Sequence, residues 1–132
     1  MPEPDDPKPL SILVVDDSEM MRRVISAILR SRQWSVWEAH DGRTGVEMFQ
    51  QCKPDAVILD LAMPNMDGVE TAKQMSECDP DIPLILFTVF EVQGVEKAAQ
   101  EAGISAIIRK SEAWTLLENI ESLVEGAVRP AM

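Results

Sequence analysis

The sequence predicts an α/β protein, a doubly wound (βα)5 three-layer sandwich in which one parallel five-stranded sheet of order 2-1-3-4-5 lies between two layers of helices. Three observations predict it. Five short apolar runs alternate with five stretches of helical periodicity between Leu10 and Glu125. Four of the runs lack the in-out alternation of a half-exposed strand and are rich in Val, Ile and Leu, which is how strands buried on both faces read. Prolines and glycines punctuate the boundaries, and parallel neighbours require crossover helices, which are right-handed.

The first run, Ser11–Val15, leads into a helix over Ser18–Arg30 whose apolar stripe is Met21, Val24, Ile25, Ile28 and Leu29, with Arg22, Arg23 and Arg30 off it. Arg30 and Arg32 sit where a helix C-terminus favours cations. The second run, Ser35–Ala39, alternates, which suits a strand at the edge of the sheet; Trp34 and Trp37 beside and within it are expected to pack. A helix over Gly42–Cys52 follows. Pro54 precedes the third strand, Ala56–Leu59, and Pro64 separates it from a helix over Gly68–Ser76. Pro80 and Pro83 introduce the fourth, Leu84–Phe87, and Gly103 ends the helix over Val92–Ala102. The fifth, Ala106–Ile108, precedes a helix over Ala113–Glu125, with Ala113, Leu116, Leu117, Ile120, Val124 and Ala127 on one face and Trp114 well off it. Residues 1–9, with four prolines and four charges, read as a disordered lead-in to one domain over 10–126, with a short tail at 127–132.

Composition limits what such a domain does. A chain of 132 residues, 45% hydrophobic and 27% charged, suits a single globular core. No apolar run approaches the roughly 20 residues of a membrane span, and no signal peptide opens the chain, so a cytoplasmic location without membrane contact is expected. Cys52 and Cys78 lack the spacing of a disulfide framework or a zinc site. The net charge of -11 opposes direct binding of nucleic acid and leaves a protein partner or a cation open.

In a sheet of this order, ligands bind beyond the carboxyl ends of the strands where the winding reverses, here between strands one and three. Asp16 and Asp17 follow strand one, Asp60 strand three, Thr88 strand four and Lys110 strand five. One such Asp would read as a helix cap; four strand ends matching together read as a site. Three adjacent carboxylates raise one another's pKa and call for a counter-charge. All-oxygen ligation favours a hard ion, Mg²⁺, with Mn²⁺ as substitute, and His40 is not expected to join. With charge so masked, Asp60 can attack an electrophilic phosphorus, while Lys110 and the Thr88 hydroxyl stabilise the transferring group.

These residues resemble the receiver domains of bacterial response regulators, in particular the single-domain chemotaxis type with its flavodoxin-like fold. The resemblance rests on Ile-Leu-Val-Val-Asp-Asp-Ser from Ile12, Asp-Leu-Ala-Met-Pro-Asn-Met-Asp-Gly from Asp60 to Gly68, Leu-Phe-Thr ending at Thr88 and Ile-Arg-Lys ending at Lys110. It implies a two-component phosphorelay switch in which Asp60 takes a phosphoryl group from a histidine kinase or phosphotransfer protein. It further implies that Asp17, Asp60 and the Ala62 main-chain carbonyl ligate Mg²⁺, with Asp16 acting partly through water. Thr88 and Lys110 then engage the phosphoryl group. Three departures stand out. Ile107 replaces an aromatic switch residue, Ser111 replaces a proline after the lysine, and Val89 and Phe90 replace the residues that commonly follow the threonine. Ala62 and Phe90 would line the path of a hydrolytic water with apolar surface, so slow loss of phosphate is expected.

The resemblance also places Arg22 and Arg23 beside the kinase-facing rim and Trp114 on a face used for dimerisation or target binding. Trp114 is expected either to cover helix four or to anchor a partner, in a monomer or a phosphorylation-dependent dimer. Nothing after Glu125 is long enough for an output domain, so a downstream protein target is expected, for a standalone protein or the receiver of a longer regulator. The chain is not expected to be an enzyme. An Asp-nucleophile phosphohydrolase would want an acid where Ala62 stands, and a flavin phosphate would be repelled by Asp16, Asp17 and Glu19. A receiver-like module working without phosphorylation is the remaining alternative.

Overall fold

The computed structural model describes residues 9–89 and 94–127. Of the expected tails only Pro9 and Ala127 fall within that range, and Phe90 and the Ala127 side chain lie outside the described residues. The elements run β1 (Ser11–Val15), α1 (Glu19–Arg30), β2 (Ser35–Ala39), α2 (Gly42–Cys52), β3 (Ala56–Leu59), α3 (Gly68–Cys78), β4 (Leu84–Thr88), α4 (Glu96–Glu101), β5 (Ala106–Arg109), a 3-10 segment (Lys110–Thr115) and α5 (Leu116–Ala127). All strand pairs are parallel, and the sheet order is β2-β1-β3-β4-β5. Among the described residues no helix is long and apolar enough to cross a membrane.

Successive strand side chains point to opposite faces, and the apolar runs thereby supply two cores at once. Ile12, Val14, Ala56, Ile58, Ile85, Phe87 and Ile108 face α1 and α5, where Ile25, Leu29, Leu116, Ile120 and Val124 meet them. Leu13, Val15, Val57, Leu59, Leu84 and Leu86 face the other layer, with Phe49, Ala72, Met75 and Ala102. The edge strand alternates as its sequence does: Val36 packs against the first core, Ala39 joins the second and Trp37 is half-exposed. Trp34 is buried in the first core.

The expectations for α1 and for the last helix need correction. Val24 is 46% exposed, because α1 lies over β1 and the edge strand β2 and only a narrow stripe of it is covered: Ile25, Ser26 and Leu29. The expected start of the fourth helix, Val92, lies outside the described residues, and the described helix runs Glu96–Glu101. The last helix begins at Leu116 rather than Ala113, since the chain winds as a 3-10 segment with Glu112 off helical geometry (φ -113°, ψ 32°). Trp114 belongs to that segment and is 77% exposed. Leu123, outside the expected face of α5, joins the edge of the first core.

Candidate functional site

The register carries the site residues to one rim. Val15 pairs with Leu59, so Asp16 and Asp60 leave adjacent strands side by side, and the Asp60 N–H donates to the Val15 carbonyl at 2.9 Å. Thr88 pairs with Arg109, which puts Lys110 one residue beyond it. Helix capping falls to other residues: Ser18, Asp41 and Asp67 accept from Met21, Thr44 and Glu70 N–H groups. Asp17 and Asp60 therefore stand at strand ends without being helix N-caps.

Lys110 reaches back across the sheet with its side chain 10% exposed. Its Nζ lies 2.9 Å from Asp16 Oδ2 and 3.5 Å from Asp60 Oδ1. The other oxygen of Asp16 accepts from the Ser18 N–H at 2.8 Å. Asp60 Oδ1, by contrast, is buried and receives no hydrogen bond. Thr88 is fully buried at the end of β4. One ammonium contacts two of three clustered carboxylates, and the cluster is short of positive charge.

That shortage appears as a shifted pKa. Burial first, then the negative charge of Asp16, pushes Asp60 up to about 6; Lys110 opposes the shift and Asp17 adds to it. Between the ordinary carboxylate value and about 6, the folded protein keeps a proton on Asp60 that the unfolded chain has released. Metal-free stability therefore falls as pH rises through this interval, by at most about 3 kcal/mol from this group. Asp60→Asn is expected to be more stable than wild type at pH 7 in a chelator, with the difference vanishing below pH 4. Thermal unfolding across pH checks this, and a pH-independent difference would contradict it.

A divalent cation fits the arrangement. Asp16, Asp17 and Asp60 offer carboxylate oxygens that all lie within 4.8 Å of one another. The undonated buried oxygen of Asp60 is the kind of ligand atom that a hard ion satisfies. Ala62 is exposed in the loop after β3, and His40 is exposed after the edge strand with Asp41 at 3.4 Å.

The loop carrying Asp60 is closely built. A Cβ on Gly68 would come within 2.3 Å of the Asp60 carbonyl oxygen, while the Gly68 N–H donates to the Leu61 carbonyl. Since the neighbouring atom is main chain, it cannot swing aside. Gly68→Ala is expected to cost about 1–3 kcal/mol and to displace Asp60, measured as a lower unfolding midpoint together with weakened Mg²⁺ binding; a midpoint equal to wild type would refute the argument.

The two arginines part company. Arg23 is exposed and pairs with Glu19 one turn back. Arg22 turns inward: its Nη1 donates to the Asp16 carbonyl at 2.7 Å, and its Nε lies 3.3 Å from Glu38. Both are expected beside the kinase-facing rim; the place of Arg22 in the first turns of α1 lets its guanidinium reach back over the acidic loop. Ile107 is half-buried against the second core, and the described residues contain no cis peptide bond.

Comparison with known proteins agrees with this geometry. The family model described as the response regulator receiver domain matches residues 12–121. The chain is 40% identical over 67 residues to response regulator MprA of Mycolicibacterium vanbaalenii, covering 51% of this chain and 29% of that protein. It is 41% identical over 70 residues to a protein-glutamate methylesterase/protein-glutamine glutaminase of Symbiobacterium thermophilum, covering 52% and 19%. The matches to these two relatives span less than a third of their length. The crystal structure of the response regulator domain of Thermotoga maritima CheB superposes with a TM-score of 0.82 at 29% identity, covering 93% of this chain and all of that one.

Proposed function

Because the chain belongs to the response regulator receiver domain family, we propose that it signals by accepting a phosphoryl group on Asp60. The observation that carries the reading is the buried, undonated Asp60 oxygen beside Lys110, at the meeting point of four strand ends. A receiver domain implies a histidine kinase or phosphotransfer protein as phosphodonor. In the transfer an Asp60 oxygen bonds to phosphorus while the donor's phosphorus–nitrogen bond breaks, and the new acyl phosphate brings further negative charge to the rim. Lys110, now held between Asp16 and Asp60, pairs with the phosphoryl oxygens, and the buried Thr88 hydroxyl turns to them as donor.

Asp17, Asp60 and the Ala62 carbonyl are the proposed ligands of Mg²⁺, with Asp16 holding it partly through water; Mn²⁺ has the same preference for oxygen and can substitute. When bound, the ion offsets the excess charge of the carboxylates and of the incoming phosphoryl group. Ile107, an aliphatic already packed on the second core, contributes packing to the switch rather than the swing of a ring. The exposed Trp114 and Arg23 are the surface residues proposed to meet protein partners, including the downstream target, with the protein a monomer or a dimer formed on phosphorylation. The relatives include a protein-glutamate methylesterase/protein-glutamine glutaminase, 19% of whose length this chain matches, so the family's switch also serves within enzymes. Ala62 leaves the site of this chain without the acid that a phosphohydrolase would place there.

The test is incubation with a small phosphodonor and Mg²⁺ followed by intact mass measurement. Gain of one phosphoryl group, dependent on the divalent ion, is expected; no gain at saturating donor would contradict the proposal.

A further inference from the structure

We infer that Arg22 is a positioning residue for the metal site, acting through the peptide that joins Asp16 to Asp17. The inference rests on the reading of Asp16, Asp17 and Asp60 as metal ligands. A peptide unit is planar, so whatever fixes the Asp16 carbonyl also fixes the plane linking the α-carbons of Asp16 and Asp17, and with it the relative aim of the two carboxylates. Arg22 Nη1 donates to that carbonyl at 2.7 Å. On the opposite side of the residue, the Asp16 N–H donates to the Ala39 carbonyl of β2 at 3.2 Å. The guanidinium is in turn held by Glu38, one residue before Ala39, with Nε 3.3 Å from Oε1. Arg22, Glu38 and Ala39 thus tie the acidic loop to the edge strand through both main-chain groups of Asp16.

The tie is shielded enough to matter. The Arg22 side chain is 15% exposed and that of Glu38 33%, against 77% and 70% for the Arg23–Glu19 pair on the same helix. Arginine suits the role because one planar group serves the carbonyl and the carboxylate together, which an ammonium at the end of a flexible stem does less well. Without it, Asp17, which is exposed, is left to hold its aim through the main chain alone. Residues that orient metal ligands from outside typically contribute about 10–100-fold in metal affinity.

The test is a titration with Mn²⁺, counting the free ion by its electron paramagnetic resonance signal, at a temperature where every variant is folded. Arg22→Met is expected to weaken Mn²⁺ binding about tenfold, Arg22→Lys by less, and Glu38→Gln about threefold. Arg43→Met, at an exposed arginine paired with Glu47 on its own helix, is expected to bind as wild type does. Ile25→Val, a core change that lowers stability without touching the loop, separates positioning from general destabilisation and should leave the affinity unchanged. If Arg22→Met does not fold, Arg22→Lys and Glu38→Gln decide the matter by the same measurement. Wild-type affinity in the folded Arg22 and Glu38 variants, or an equal loss in Ile25→Val, overturns the inference. Failure of the wild-type protein to bind Mn²⁺ overturns instead the reading of the three carboxylates on which it rests.

Discussion

Asp60→Asn is expected to take up no phosphoryl group from a small phosphodonor in the presence of Mg²⁺, while wild type is expected to take up one. The amide keeps the size and much of the hydrogen bonding of the side chain but has no anionic oxygen to attack phosphorus, so the loss is complete rather than graded. The substitution is also benign to the fold. It removes a buried charge that burial and the Asp16 carboxylate already disfavour, and the variant is expected to be at least as stable as wild type. Loss of modification thus cannot be ascribed to unfolding. Intact mass measured at intervals after donor addition checks the result. A modified Asp60→Asn would mean that another carboxylate accepts the group, and Asp17 would be the first to examine, being the exposed acid of the cluster.

Lys110→Ala has the second largest expected effect, and it falls on stability. The ammonium is nearly buried and is the counter-charge that the structure places against both Asp16 and Asp60, at 2.9 and 3.5 Å. Removing one partner of a buried pair leaves an uncompensated charge, a loss of about 3–5 kcal/mol. For a domain of this size that lowers the unfolding midpoint by roughly 10 °C or more. The cost should be greatest in chelator near pH 7 and should shrink when Mg²⁺ is added, because the ion replaces part of the missing positive charge. It should also shrink in acid, as Asp60 takes up its proton. Denaturant unfolding with and without Mg²⁺ measures this. A loss below about 1 kcal/mol, of the size found for exposed pairs, would show that Lys110 does not neutralise the site.

Much of this was legible in the sequence, for identifiable reasons. The strands are readable because parallel strands buried on both faces must be apolar without interruption, as Ile12–Val15 and Leu84–Phe87 are. The rim is readable because strand order and parallel pairing alone place Asp16, Asp60, Thr88 and Lys110 at one end of the sheet. What escaped depends on geometry that no linear pattern carries. Counting helical angle from Ala113 put Ala113 on the apolar face and Trp114 off it, as they are, but it could not show that the chain winds as a 3-10 segment from Lys110 to Thr115 and becomes α-helical only at Leu116. Val24 has the right spacing for the core stripe of α1, yet the helix lies over the edge of the sheet and leaves that side uncovered. The sequence placed Arg22 with Arg23 beside the rim and did not separate the two. The inward role of Arg22 requires a main-chain carbonyl six residues back and a glutamate on another strand, and neither is a pattern of side chains along one helix.

Location of the phosphoryl group tests the central claim most directly. An aspartyl phosphate is an acyl phosphate, which borohydride reduces to the alcohol, turning the modified aspartate into homoserine and leaving free carboxylates unchanged. Peptide mass mapping of the reduced protein is predicted to show homoserine at position 60 and nowhere else, in proportion to the phosphoryl group acquired. Homoserine at position 16 or 17, or none in a protein that has gained the group, would contradict the account.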